Sequence, residues 1–468
     1  MDLSQKNALY TEAETLRIRS RDLYGGSHVV KQKGTTYLFQ GKNETDENYQ
    51  IRLKRAVIDN YVEKIVRARQ SVLFMRPQTR DLDAKLEELR SDVDTKGTSA
   101  STFFRDISEC AQVDGLVWVL VDMPRAVVES KSAAEERAAG IRPFMQVVPA
   151  SSVLDWEVGS DNDLNWAVIA QYGVKPRNPG DAVEKVQQYK IWFRDHWELH
   201  QIGEVRATEA GSTTKIDEGS NPTGRVPLVP FYGIKSADYL GLPVCYSVLD
   251  HVVLAYNKNS DLDWFEQLSC HPIPYVVSPK EFQKLDVGGG MWIESGPQTG
   301  AIEVNYLQTS GAGETSVRDS IDRIEARIYA IALAQAKRDG KQVQAADSQR
   351  EDRRSFTSSL KSVSEQLETS ERQCWDLAAE WLGAPKLKRE ISYNRDFDDR
   401  TIDDAMLASL VDMVDGKKLS LETLLETLEY ADILPGFDAA EEKKRLAKET
   451  ATRAVDLVGD LKTADGGA

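Results

Sequence analysis

From Ser316 onward, apolar residues recur at Val317, Ile321, Ile324, Ile328 and Ile331, a spacing of four, three, four and three. At 3.6 residues per turn those positions share one face, so the spacing predicts a helix with a single apolar stripe. Arg318, Asp322, Glu325 and Arg327 fall on the opposite, polar face. A second stripe, Phe356, Leu360, Val363, Leu367, Cys374 and Trp381, predicts helix over 345–382. At 1.5 Å per residue that helix is roughly 57 Å long, several times the mean of about 11 residues. Gly383 and Pro385 end it. Helix is also predicted over 243–270, with Pro243 at its opening position, and over 46–75, where Leu53, Val57, Tyr61, Ile65 and Val72 form the stripe and Pro77 the stop. Between the helices at 243–270 and 316–335, residues 271–308 hold three short β candidates separated by Pro and Gly.

The first half reads as mixed α and β. "DGLVWVLVDMP" (114–124) is a continuous apolar run bounded by turn residues, the mark of a buried strand. "RPFMQVVPASSVLDW" and "LNWAVIAQYGV" read as further strands, and "KVQQYKIWFRDHWELHQIG" as a hairpin turning near Asp195. "EAGSTTKIDEGSNPTGRVP" reads as a polar, Gly-rich loop, "KREISYNRDF" as a lone strand, and 401–455 as helix rich in Asp and Glu. The fold class is α+β.

Composition narrows the functions. The 468 residues carry 59 Lys and Arg against 75 Asp and Glu, a formal net charge of -16. Such a chain repels polyanions on average, so any contact with nucleic acid rests on a few local cations. Lys337, Arg338 and Lys341 cluster around Gly340 between two long helices. Taken alone they read more readily as solvated loop residues. Cys110, Cys245, Cys270 and Cys374 are far apart in apolar segments, which suits buried thiols in a reducing compartment. The polar N-terminus and the lack of any run of about 20 apolar residues give the expectation of a chain folded in cytoplasm, away from membranes.

Catalytic chemistry is sparse. In "HWELH", His196, Glu198 and His200 would share one face of a strand and could bind a metal, as in a metal-dependent hydrolase. The plainer reading is a solvated strand face, since a closed site needs further ligands and the chain has 5 histidines. "VGGGMW" (287–292) precedes a strand and lacks the phosphate-cradling GK[ST], so it reads as a turn. No HExxH or GxSxG is present, and Asp403 and Asp404 suit a helix cap. The long helices also leave open a coiled-coil structural adaptor.

"LYGGSHVVKQKGTTYL", "ENYQIRLKRAVIDN", "DGLVWVLVDMP", "GRVPLVPFYG" and "WDLAAEWLG", spread over most of 20–385, together with the order of elements, resemble the portal proteins of tailed bacteriophages. The resemblance implies a portal fold: 1–235 and the strand after Pro385 as wing, 236–270 and 310–335 as stem helices, 271–309 as clip. It further implies 336–346 as tunnel loop, 347–400 as long helix with the wing strand, and 401–468 as crown. "YLFQG" lacks the proline such proteins carry after Leu38, and the crown is short. Implied, too, are a homododecameric ring at one capsid vertex of the virion and no enzymatic activity or cofactor. The expected partners are double-stranded DNA passing non-specifically, terminase, head-tail adaptor proteins and the major capsid protein. In that ring Lys337, Arg338, Lys341 and Gln342 would line the channel. Val317, Ile321, Ile324 and Ile328 would form the subunit interface, and Lys280, Lys284, Trp292 and Glu294 would meet partners at the clip.

Overall fold

The computed structural model describes residues 2–124, 141–174, 178–180, 182, 185–202, 213–270, 273–278, 291–294, 303–307, 312–332, 346–397, 404–430 and 440–448. The chain divides into two compact units, Met1–Phe397 and Asp398–Ala468.

The first unit opens with helices α1 (Ala8–Tyr24), α2 (Gly26–Gln32), α3 (Asp46–Arg55) and α4 (Tyr61–Leu73). Polar side chains start three of them: Asn7 accepts from the Leu9 N–H, Thr45 from Asn48 and Asn60 from Glu63. The single helix expected over 46–75 is therefore two. Val57 is 64% exposed, while Ala56 and Ile58 turn inward and Asn60 caps a fresh start. Then come β1 (Thr79–Leu82), α5 (Ala84–Arg90) and α6 (Ala100–Asp114).

Strand β2 (Leu116–Asp122) runs between β3 (Phe144–Pro149) and β9 (Leu228–Tyr232), antiparallel to both. Its continuous apolar run has a simple cause: it is a wall with a core on each side. Val117, Val119 and Val121 enter the cluster that holds Phe104, Phe231, Leu367 and Trp375. Leu116, Trp118 and Leu120 enter the one that holds Tyr10, Trp156 and Trp192. The second cluster lines one face of a five-stranded antiparallel meander, β4 (Val153–Val158), β5 (Leu164–Val174), β6 (Lys185–Phe193), β7 (His196–Ile202) and β8 (Thr213–Ser220). Leu3 covers the other face with Leu154, Val168, Tyr189 and Ile191. The hairpin at Asp195 is as expected, but the loop expected over 209–227 contains β8. As an edge strand with its Lys215, Ile216 and Glu218 in solvent, β8 needs no apolar alternation and so leaves no apolar signal.

A short hairpin, β10 (Ile234–Ala237) and β11 (Leu240–Leu242), brings Gly241 onto Gly115, the left-handed C-cap of α6. A Cβ on Gly241 would sit 2.0 Å from the Gly115 carbonyl oxygen. Helix α7 (Leu249–Cys270) begins six residues after Pro243 rather than at it. Residues 243–248 form turns first, with Tyr246 donating to the Pro243 carbonyl and Val248 to that of Cys245.

β12 (Ile273–Ser278), β13 (Met291–Glu294) and β14 (Glu303–Leu307) form a small sheet with β12 central, as the three β candidates suggested. Helix α8 (Ala312–Ala332) returns, and α9 (Ala346–Trp381) runs for 36 residues. Gly383 adopts φ +64° just beyond it, and β15 (Arg389–Ser392) pairs antiparallel with β1. The second unit contains α10 (Asp404–Asp415), α11 (Leu421–Tyr430) and a helical stretch at 440–448. Among the described residues no helix is long and apolar enough to cross a membrane.

Candidate assembly and channel elements

Helices α7 and α8 flank the small sheet and descend into the same core as α4. Val248, Val252 and Tyr256 of the α7 side, Ile324 and Ile328 of α8, and Tyr61, Val62 and Ile65 of α4 form one buried cluster. Ile321, Ile324 and Ile328 are 7%, 6% and 0% exposed within this one chain. Ile324 and Ile328 thus pack within the one chain, against α4 and α7, and contact of the stripe with a neighbouring copy stays an expectation. Val317 is half-buried, and Ile331, at the far end of the stripe, is exposed.

Polar ties hold α8 to α4 at one end and to α7 at the other. The Tyr61 hydroxyl donates to the Glu325 carboxylate, and the Tyr61 and Tyr329 rings meet edge-on at 5.9 Å. Burial first, and the hydrogen bond to Glu325 second, push the Tyr61 hydroxyl far above its ordinary range. Near the small sheet, Arg318 donates to Glu314 at 2.9 Å and also to Glu266 of α7. Arg318 and Glu325 look like ordinary solvated positions in the sequence; only the neighbouring helices give them partners.

The long helix holds a buried ionic clasp that sequence reading missed. Glu371, on the apolar face of α9, accepts from Arg80 of β1 at 2.6 and 3.1 Å, from the Trp375 indole at 3.0 Å and from the Tyr393 hydroxyl at 2.5 Å. Both charged side chains are fully buried. Burial, then the Glu371 charge, hold the Tyr393 hydroxyl well above its usual range. One turn earlier, Glu368 accepts from Arg395 at 3.0 Å and from the Tyr393 backbone N–H at 3.3 Å. The one sign in the sequence is a carboxylate where the α9 stripe demands an apolar residue.

In the small sheet, Trp292 stands opposite Val276 and Glu294 opposite Ser278 in the parallel β12–β13 register. Lys280 and Lys284 lie outside the described residues, as do Lys337, Arg338, Gly340, Lys341 and Gln342.

The histidine strand is engaged locally. His200 hydrogen-bonds Glu198 at 2.8 Å, and Lys215 donates to the other oxygen of that carboxylate at 3.3 Å. His196 bonds Asp195 at 2.7 Å and stacks on Phe193 at 4.4 Å. Among the described residues no group of three or more His, Cys, Asp or Glu side chains is placed to hold a metal ion. A groove of about 570 Å³ lies between β9, the β10–β11 turn and α9, lined in part by Tyr232, Lys235, Asp238, Glu365, Gln366 and Thr369. Its cation Lys235 is paired with Asp238 at 2.7 Å, and Arg225 at its end with Glu380 at 3.1 Å. Cys245 and Cys374 are buried as expected, whereas Cys110 is exposed on the solvent side of α6. Burial pushes the Cys245 thiol up to about 12, which keeps it inert.

Comparison with known proteins finds a family profile described as a domain of unknown function (DUF4055) matching residues 250–382, from α7 to the end of α9. No curated protein matches the chain. Among solved structures, the chain is similar to one from the neck of an empty GTA particle computed with C6 symmetry, at 13% identity and a TM-score of 0.37, covering 81% of this chain and 91% of that one. It is similar to another from the neck of a native GTA particle computed with C12 symmetry, at 12% identity and a TM-score of 0.38, covering 88% of this chain and 99% of that one. A chain from the virion of a native gene transfer agent (GTA) particle matches at 12% identity and a TM-score of 0.38, covering 87% of this chain and 99% of that one.

Proposed function

We propose that the chain is a portal-type subunit: a non-enzymatic component of a phage-like particle that assembles as a dodecameric ring at one capsid vertex and conducts double-stranded DNA in packaging and ejection. The observation that carries this reading is the order of α7, a small three-stranded sheet, a returning α8 and the 36-residue α9, combined with the sequence signatures quoted above. In a ring every residue is repeated about the axis, so Lys337, Arg338, Lys341 and Gln342 become a polar collar. The acidic remainder keeps the wall from gripping phosphate. DNA carries about one charge per 1.7 Å, and affinity rises with each phosphate neutralised, so a uniformly basic channel would hold the duplex and stall it.

The sheet of β12–β14 would be the docking platform for terminase during packaging and for adaptor proteins afterwards, through Lys280, Lys284, Trp292 and Glu294; the wing would face the major capsid protein. Ile324 and Ile328 pack within their own chain, so the contacts between stems expected of this stripe would extend to the exposed faces of the two helices, where Leu254 and Ile331 are 45% and 47% exposed. Electron microscopy of the purified chain tests the proposal. Rings with an axial hole are expected; a chain that stays monomeric at every concentration, or forms solid rods, ends it. In assembled particles, replacing Lys337, Arg338 and Lys341 by Ala should leave rings intact and change the DNA content.

A further inference from the structure

The groove between β9, the β10–β11 turn and α9 has a volume of about 570 Å³, within the range of small-molecule sites. Its deepest lining is apolar, with Leu228, Val229 and Leu377 all buried. One lip is held firmly by Tyr239, which takes φ +61°, a conformation that a tyrosine keeps only where its surroundings impose it. Its backbone N–H donates to the Tyr232 hydroxyl at 2.9 Å, its own hydroxyl donates to the Asn162 carbonyl at 2.9 Å, and its ring stacks on Trp118 at 5.7 Å.

The unmatched charge along this groove is negative. Lys235 is paired with Asp238 at 2.7 Å, Arg225 with Glu380 at 3.1 Å, and the nearby Arg194 with Asp161 at 2.6 and 2.7 Å. Two lining carboxylates remain: Asp163, in the turn before β5, and Glu365, on α9. Both are exposed, and neither carboxylate accepts a hydrogen bond or forms an ion pair among the described residues. Beside Glu365, the Gln366 Oε1 is buried without a partner. Two of the hydroxyls on α9 are already donating, Thr369 to the Glu365 carbonyl and Ser370 to the Pro230 carbonyl, each at 2.8 Å. Pro230 itself has no N–H to offer from the outer edge of β9.

A ligand complementary to these walls carries positive charge and N–H donors at separated points, with apolar surface between them. A metal ion does not meet that description, since among the described residues no three His, Cys, Asp or Glu side chains converge. An alkylammonium chain does, and the Lys235 ammonium already lies 5.6 Å from the centre of the Tyr232 ring at this site. We propose that the groove binds a linear aliphatic polyamine, one ammonium group meeting Asp163 and another Glu365, with Gln366 Oε1 as a neutral acceptor and the methylenes on Leu228, Val229 and Leu377. This site is independent of the portal-type reading.

The test titrates spermidine into the full-length chain at constant ionic strength, follows the melting midpoint and the heat of binding, and uses magnesium chloride as the control for general counter-ion binding. A saturable rise of the midpoint with spermidine and none with magnesium is expected. Asp163→Asn with Glu365→Gln changes two exposed side chains, so the ligand-free midpoint should hold while spermidine binding weakens about tenfold or more. Gln366→Met removes an acceptor that has no partner in the free chain, so it should melt at or above the wild type without ligand and bind spermidine less tightly. The proposal is overturned if the wild type shows no saturable response, if magnesium raises the midpoint as much as spermidine, or if the double variant binds spermidine as tightly as the wild type.

Discussion

Replacing Glu371 by Gln tests the clasp that joins α9 to β1 and to the segment after β15. The change keeps the shape and removes one charge from a pair whose side chains are both 0% exposed. In the wild type two carboxylate oxygens receive four donors: Arg80 Nε and Nη2, the Trp375 indole and the Tyr393 hydroxyl. In Glu371→Gln one of those oxygens becomes an amide NH2 that cannot accept, and the Arg80 guanidinium loses its counter-charge while still buried. Removing one partner of a buried pair costs about 3–5 kcal/mol. That is a large share of a net stability of about 5–15 kcal/mol. For a unit this large each kcal/mol moves the midpoint by roughly 2 °C, so a fall of roughly 6–10 °C is expected in differential scanning calorimetry. The double variant Arg80→Met with Glu371→Gln should recover part of the loss, giving a coupling energy of about 2 kcal/mol or more in the mutant cycle. A Glu371→Gln melt within about 1 °C of the wild type would refute the reasoning, since the pair would then have no net worth relative to its neutral isostere.

Other expectations follow from the same contacts. Ile324→Asp places a carboxylate in the cluster around Tyr61 and Val252, so it should abolish cooperative folding of the first unit by circular dichroism, rather than yield folded monomers defective only in assembly; a well-folded variant would show that the site is not buried. Gly115→Ala must place a side chain at φ +83° with its Cβ 2.6 Å from the Leu242 carbonyl carbon. The strain and the overlap together cost roughly 2–5 kcal/mol, readable as a lower melting midpoint, and an unchanged midpoint would contradict it. The Arg52 guanidinium holds the Glu44 carboxyl below the usual glutamate range. The folded state thus binds that proton less readily than the unfolded chain. Its stabilisation is complete above the ordinary value of about 4.3 and is lost as pH falls through the lowered folded value. Glu44→Gln should therefore lower the melting midpoint at neutral pH and flatten its decline in acid; parallel curves for the two proteins would rule this out.

The stripe from Val317 to Ile331 shows where sequence reading stops. Its spacing specified the helix correctly, because period is a property of the chain. What the stripe packs against is not. A run of apolar residues at four and three is equally suited to a neighbouring copy and to a helix of the same chain, and α4, more than 250 residues earlier, is what Ile324 and Ile328 meet here. The break between α3 and α4 was hidden for a related reason, since Val57 keeps helical phase with Leu53 and Tyr61 but lies in solvent once Asn60 recaps the chain. Strand β8 carried no alternation because an edge in solvent does not require one.

By itself the sequence determined the α+β class, the two-sided burial of β2, the hairpin at Asp195, the three strands between α7 and α8, and the length of α9. Each is dictated by local periodicity and by Gly, Pro and capping residues, which act within a few positions. The tertiary structure alone decided that Glu371 meets Arg80 and that Tyr61 meets Glu325. Those are pairings between residues hundreds of positions apart, and a charge in a sequence has no partner until the fold brings one to it.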